Sequence, residues 1–553
     1  MIALDIETNL FPATTIWVAV TEDLDTGEVL EHYDASTLQP VIDNTDGVIA
    51  HNGIGFDFPV LEELWGVTIP REKMIDTLVL ARLYQPQINN GHSLKAWGIR
   101  LGNKKLEKQE FNKALFDLGL TPEMIEYCKQ DVAVNIAIYK KLDSLLNQAG
   151  FSEFSRTLER DVAYITAEQE RNGFKLDIPY ATECWQTITK RMQVIENEMQ
   201  ELFPPIVTER VSEKTGKPLK DHVEHFNVGS RQQVAKRLST LGAVWTELTE
   251  TGLPVVNEKT LEKQTIPEAA VVSEYFLLQK RAGLFDSWLK AVGDDGRVHG
   301  RVNTIGAITG RMTHSSPNMA QVPAVNAPWG KESRTSFTVD DGNVLVGCDA
   351  SGLELRMLAH YVDDEAYTKQ ILEGDIHTYN QEMAGLDTRA QAKTFIYALL
   401  YGAGDTKIGS ITGHGATKGK ELKASFAKGL PGYARLVKQM KDASNTGKVK
   451  GLDGRYIRIR SEHASLNSLL QGAGAIVMKV ALVNAYDSLK KANIPFKIVA
   501  NVHDEFQVET PAHFGKAVGI HMKNGIVGAG DVLNLNCQLD AEYKIGANWC
   551  ETH

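Results

Sequence analysis

Four side chains in RAQAKTFIYALLYGAG, residues 389–404, recur at every fourth position: Arg389, Lys393, Tyr397 and Tyr401. At 3.6 residues per turn, steps of four keep them on one slowly drifting helix face. No Pro or Gly interrupts the run before Gly402, and Gly402 and Gly404 are placed to end it. Two cations one turn apart suit a triphosphate, and a tyrosine beyond them can stack on a base or press on a sugar. A surface helix with spaced charges has the same pattern, so the flanking segments must decide.

Carboxylates stand on either side. VLVGCDASGLELRMLAH reads as a buried strand that delivers Asp349 and then opens a helix with Glu354 and Arg356. IVANVHDEFQVE reads as two β segments with His503, Asp504 and Glu505 at the turn. Carboxylates where apolar strand gives way to charge are costly unless a metal or cation meets them, although HDE alone is equally an ordinary hairpin tip. With the Arg-Lys-Tyr helix between them, Asp349 and Asp504 form a phosphoryl-transfer centre.

A second acidic set lies in the first third. MIALDIET is a strand with Asp5 and Glu7 two apart, HNGIGFD is a turn with Asn52 and Asp57, and TPEMIEYCKQDVAVNIAIYKKL is a helix with Tyr127 and Asp131 one turn apart. Alone, a D-x-E strand is more often solvent-facing. Four carboxylates from separate elements, however, suit a pair of Mg²⁺ ions, which take oxygen ligands.

These elements need a large chain to position them, and 553 residues imply several domains. Two long helices are expected near 178–202 and 268–292, with a charged, Pro-rich hairpin or loop between them at 203–225. The strip 308–323 is polar and turn-rich, able to line a nucleic-acid backbone. Net charge is −11, yet residues 389–460 hold fifteen Lys or Arg against four Asp or Glu. Binding to polyanions is therefore expected in one groove only. The five scattered cysteines make neither a zinc site nor a disulfide framework. With no basic leader and no uncharged apolar window of about 18 residues, a soluble cytoplasmic protein without a membrane partner is expected.

In order, D-x-E, N-x-x-x-F-D and Y-x-x-x-D resemble the DEDDy 3′→5′ exonucleases, while DASGLELR, R-AQA-K-TFI-Y-ALL-YG and VHDE resemble motifs A, B and C of family A, the DNA polymerase I-like enzymes. GDIHTYN and KTFIYALLYGAGD are worded most like the T-odd podophage branch. The resemblance implies an α/β multidomain fold: a ribonuclease H-like exonuclease at 1–150, thumb and connecting helices at 151–300, palm at 301–365 and 461–553, and fingers at 366–460. It implies two Mg²⁺ at each site. Asp349, Asp504 and the carbonyl of Ala350 would hold one pair, supported by Glu505, and Asp5, Glu7, Asp57 and Asp131 the other, with Tyr127 placing the attacking water. Arg389, Lys393 and His377 would grip the triphosphate, Tyr397 the sugar and Tyr401 the templating pair, and Glu354 would exclude a ribose hydroxyl. Arg311, Asn467 and Gln471 would read minor-groove acceptors, and His503 the primer terminus. Primer-template DNA and dNTPs are the implied partners, with a replisome helicase and primase beyond them.

Two intervals depart from that branch. Residues 203–225 are too short for the insertion by which the podophage enzyme recruits thioredoxin, so no thioredoxin partner is expected; the run SEKTGKPLK there could touch duplex phosphates instead. The exonuclease region is also shorter between its second and third motifs. A single-subunit RNA polymerase would share the aspartate pair and the basic helix but not Glu354 or the exonuclease motifs. A pure nuclease would leave Arg389–Tyr401 idle, and a non-catalytic duplex clamp would need neither aspartate pair.

Overall fold

The computed structural model describes residues 1–9, 12–102, 119–211 and 214–553; residues 103–118 of the shortened exonuclease interval and the first two residues of the run 212–220 lie outside it. In the first third, five strands lie in the order Val29–His32, Ile16–Asp23, Ile2–Thr8, Val48–Ala50 and Met74–Asp76. The first three pair antiparallel, and the last two run parallel to Ile2–Thr8. Ile2–Thr8 is central and covered on both faces, so Ile2, Ala3, Leu4 and Ile6 are all buried. The long helix Pro122–Ala149 packs against it. Thr121 caps its start by accepting the Met124 N–H, Pro122 occupies the first turn, and Gly150, at φ 76°, ends it.

A connecting helix, Glu153–Asn172, leads to a pair of packed helices, Ile178–Leu202 and Pro267–Ala291. Between them projects an exposed antiparallel hairpin, Ile206–Val211 with Pro218–Glu224. Both helices and the hairpin fall where the sequence places them.

The last two-fifths are organised on a four-stranded antiparallel sheet in the order Lys497–Val502, Glu505–Pro511, Asn343–Ala350, Ala541–Gly546. Behind it lie Gly515–Val532 and the helix Ser465–Lys491, which is apolar over most of its circumference. The segment Glu462–Lys491 has a mean hydropathy of 1.5 and is, among the described residues, the one helix long and apolar enough to cross a membrane. Its most apolar window is 72% buried between Gly515–Val532, Glu153–Asn172 and Leu353–Val362, so its composition answers to the core.

The connecting helix is fixed to this half by buried charge. Glu159 takes both Lys479 Nζ and Arg455 Nη1, and Arg455 also binds Asp453 at 2.7 Å through Nε. All four side chains are buried. This corrects one expectation: Arg455, counted in the basic tract, is neutralised internally and is not part of a phosphate-binding surface. Removing one partner of a buried ionic cluster strands the rest, at a cost of about 3 kcal/mol or more. Glu159→Ala is therefore expected to lower the melting temperature by several degrees, and thermal unfolding at neutral pH checks it; a variant that melts with the parent would mean the cluster contributes nothing.

Candidate active sites

Asp5 and Glu7 share one face of the central strand by the two-residue alternation of β structure. The helix Pro122–Ala149 brings Cys128 beside them, its Sγ 3.5 Å from Asp5 Oδ2. The ligand atoms of Asp5, Glu7 and Cys128 all lie within 4.8 Å of one another. Tyr127 and Asp131, on the same helix, are buried. Asp57 arrives from a third element as the first residue of the helix Asp57–Trp65. The turn before it is shaped by Asp76, which accepts the Asn52 N–H at 3.0 Å and the Ile54 N–H at 3.2 Å while capping the helix Thr77–Tyr84. Burial, with the charges of Asp76 and Glu7, pushes the Asp57 carboxyl up to about 7. Burial and the charges of Asp5, Glu7 and Asp57 likewise drive the Cys128 thiol upward, so these three acids share one field around it. Sequence reading dismissed the cysteines as scattered; all five are free, but Cys128 borders the acidic cluster.

The second site sits on the four-stranded sheet. Asp349 pairs with Glu505 across neighbouring strands, and the Ala350 N–H donates to the Asp504 carbonyl at 3.0 Å. The two aspartates, distant in sequence, are thereby placed side by side. Only His503, at φ 58°, and Asp504 occupy the turn; Glu505 already belongs to the strand and is buried, where the sequence reading had all three at the tip. Burial and then the charges of Asp504 and Glu505 push the Asp349 carboxyl up to about 7. Burial and Glu354 raise Asp504. Glu505 goes the other way: burial would raise it, but His553, Arg334 and the Trp549 indole N–H outweigh that and lower it. Its carboxylate accepts Gln507 Nε2 at 2.6 Å and meets His553 Nδ1 at 2.8 Å.

Above the aspartates runs the helix Arg389–Leu400, opened by a capping box of Thr388 and Gln391 and closed at Tyr401, with Gly402 at φ 73°. Ala392, Phe395, Ile396, Leu399 and Leu400 are buried, leaving Arg389 and Lys393 exposed and Tyr397 half-buried. Burial and the charges of Glu354 and Asp504 raise the phenol of Tyr397, and the same three raise that of Tyr401, so this face looks onto the acids. The His377 ring lies 6.2 Å from that of Tyr397, and burial, then the cations Arg389 and Lys393, lower its pKa. A cavity of about 330 Å³ opens here, lined among others by Arg311, Glu354, Tyr401, Lys479, Asn501 and Asp504.

Glu354 is tethered from two sides: Tyr401 Oη donates to it at 3.1 Å, and Arg311 Nη2 lies 3.5 Å away. Asn467 donates to the Leu400 carbonyl at 3.0 Å, securing the helix end rather than facing the cavity freely. Gln471 lies half-buried on the neighbouring helix. His314, which the sequence reading passed over, is pushed down to about 4 by burial and by His503. Asp375 and His553 were also missed. An Asp two residues before His377 at a helix start is a legible cap, whereas nothing local announces His553.

A carboxylate pair beneath a cationic helix, joined to a separate acidic nuclease-like site, defines a nucleic-acid enzyme with two phosphoryl-transfer centres. Residues 204–551 match the profile of DNA polymerase family A, and residues 2–147 match a 3′-5′ exonuclease domain; the chain belongs to DNA polymerase family A and carries that exonuclease domain. It is 35% identical to the DNA-directed DNA polymerase of Enterobacteria phage T3 over 92% of each chain, and 34% identical to that of Escherichia phage T7 over the whole of both. The latter alignment runs to 705 positions against 553 residues here, so the relative has segments this chain lacks. Among solved structures, the POL domain of Pol1 from M. smegmatis has the same fold, with a TM-score of 0.81 at 18% identity, covering 100% of this chain and 95% of that one.

The raised Asp349 gives a pH signature. A carboxyl whose pKa rises from 3.8 to about 7 on folding favours the fold when protonated; that contribution is present below about pH 4 and is lost as pH rises through 7. Asp349→Asn is expected to melt above the parent at about pH 8 in EDTA, with the gap narrowing toward about pH 5. A parent that melts as high as the variant at pH 8 would contradict the acidic field.

Proposed function

We propose that this chain extends a primer 3′-hydroxyl with deoxynucleotides on a DNA template and removes misplaced 3′ ends at its second site. The observation that carries this reading is the backbone hydrogen bond joining Ala350 to Asp504, which sets Asp349 and Asp504 side by side beneath the Arg389–Tyr401 face. Both sites fit divalent cations: each concentrates carboxylates whose protons are held by mutual repulsion and burial, a state that a hard cation relieves. Asp349, Asp504 and the Ala350 carbonyl would hold two Mg²⁺ at one site, and Asp5, Glu7, Asp57 and Asp131 two at the other. When bound, such ions lower the pKa of an attacking hydroxyl or water and offset charge on the leaving oxygen.

The remaining work falls to this chain's side chains. Arg389, Lys393 and His377 hold the triphosphate, and Lys393, exposed one turn below Arg389, gives a proton to the departing pyrophosphate. Tyr397 bears on the sugar and Tyr401 on the templating pair. Arg311 and Gln471 meet minor-groove acceptors common to correct pairs, with Asn467 holding the end of the Arg389 helix beside them, and His503 meets the primer end. Glu505, already engaged by Trp549, Gln507 and His553, supports Asp349 from the next strand. At the nuclease site Tyr127 orients the water. The domain limits follow: exonuclease 1–150, thumb and connecting helices 151–300, palm 301–365 and 461–553, fingers 366–460. Primer-template DNA and dNTPs are the ligands, in a host-cell cytoplasm, with a replisome helicase and primase as further partners. Thioredoxin is not among them, since the interval 203–225 is too short for the insertion that would recruit it.

Primer extension with and without Mg²⁺ tests the assignment. Asp504→Ala should lose extension by at least about a thousandfold while still digesting single-stranded 3′ ends, and Asp5→Ala should do the reverse. Loss of both activities in either variant, or neither, would refute two independent sites. Glu354→Ala should raise ribonucleotide insertion relative to deoxynucleotide about tenfold or more, because the tethered carboxylate excludes a 2′-hydroxyl. An unchanged ratio would remove Glu354 from sugar selection.

A further inference from the structure

Arg389 does not wait for its ligand unaccompanied. Its Nε lies 2.6 Å, and its Nη2 3.2 Å, from the two carboxylate oxygens of Asp375. The same carboxylate caps the helix Ile376–Ala384, accepting the His377 N–H at 3.1 Å, the Thr378 N–H at 3.4 Å and the Thr378 hydroxyl at 2.9 Å. Arg389 first, against the opposing effect of burial, and then the Thr378 and His377 donors hold the Asp375 carboxyl well below the usual carboxylate range. One side chain thus links the start of the His377 helix to the first residue of the Arg389 helix.

From this geometry we infer that Asp375 is a positioning residue for the incoming triphosphate, acting through Arg389. The inference rests on the reading of Arg389 as a triphosphate ligand. Asp375 occupies one edge of the guanidinium, Nε and Nη2, and leaves Nη1 and the outer N–H of Nη2 on the other edge for phosphate oxygens. An exposed arginine otherwise samples many rotamers, and the bidentate contact fixes the plane of the fork before the ligand arrives. The charge of Asp375 is spent on Arg389 and on the cap, so little is left to repel an anion. The cap also sets the backbone at His377, so both phosphate-facing groups take their placement from one carboxylate.

The two duties of Asp375 separate by substitution, because Asn caps a helix about as well as Asp but carries no charge to hold a guanidinium. In single-nucleotide insertion on primer-template with Mg²⁺, Asp375→Asn in the full chain should raise KM for the dNTP about five- to tenfold. Its kcat should stay within about twofold, with an unchanged melting temperature, and Asp375→Glu should recover part of the loss. In an Arg389→Ala background, Asp375→Asn should add nothing. A KM for Asp375→Asn that is unchanged or lower would overturn the inference, the latter marking Asp375 as a competitor of phosphate. Full additivity in the double variant would overturn it too, by placing the effect elsewhere than Arg389. If Arg389→Ala alone leaves KM unaltered, the reading of Arg389 as a ligand fails, and the inference with it.

Discussion

Repulsion between carboxylates is the constraint on which the rest of this molecule depends. Both chemical sites gather acids that would separate in water, and in each the backbone supplies the restraint. On the four-stranded sheet, residues 343–349 pair with Glu505–Pro511 in unbroken register, with Cys348 opposite Phe506 and Val346 opposite Val508, all buried. A slip of one residue would turn those apolar side chains to the wrong face and take Asp349 from the cleft. Burial of the sheet's core therefore offsets the cost of holding Asp349 beside Asp504. The first site uses a comparable device: Ile2–Thr8 is buried on both faces, so its register is pinned by packing, and Asp76 shapes the turn that brings Asp57 in.

The two halves must also stay in fixed relation. Arg71, from the exonuclease half, makes paired contacts of 2.8 and 3.0 Å with Asp487 on the long core helix and lies 3.4 Å from Asp161 on the connecting helix. Its guanidinium lies within about 6 Å of the rings of Tyr164 and Tyr486. Farther along the seam, Gln85 and Gln87 accept from Arg458 and Arg460. Amides orient these arginines without neutralising them, so the seam keeps its positive charge, whereas Arg455 nearby is neutralised by carboxylates and buried.

Local features explain why so much could be read from the sequence. The helix Arg389–Leu400, its capping box, the strand before Asp349 and the turn after Val502 are each specified by neighbours within a few positions. The long helices 178–202 and 267–291 were legible for the same reason. What could not be read depends on partners far along the chain. Glu159 meets Arg455 and Lys479 across some three hundred residues, and Glu505 meets Trp549 and His553 across more than forty. No periodicity marks such pairs. Cys128 was passed over because metal-ligand spacing is sought among cysteines, while its neighbours here are carboxylates on another element.

The opposite responses of three acids, two on adjoining strands and one in the turn between strands, show how the second site divides its labour. Asp349 and Asp504 are raised because burial and like charge surround them. Glu505, closer to the interior, is lowered because Trp549, His553 and Arg334 meet it. A carboxylate already compensated gains little from a cation, whereas an uncompensated one gains a great deal. Glu505 is thus fixed as an anion by the protein itself, and its charge helps keep Asp349 in want of a positive partner. The Arg311–Glu354–Tyr401 chain repeats this logic at the cleft wall, where Arg311 offsets Glu354 and the phenol of Tyr401 orients it. Glu505 and Glu354 each meet a positive or hydrogen-bonding partner, whereas burial and like charge outweigh the nearby cations at Asp349 and Asp504, and that imbalance is what a divalent cation at the two aspartates would relieve.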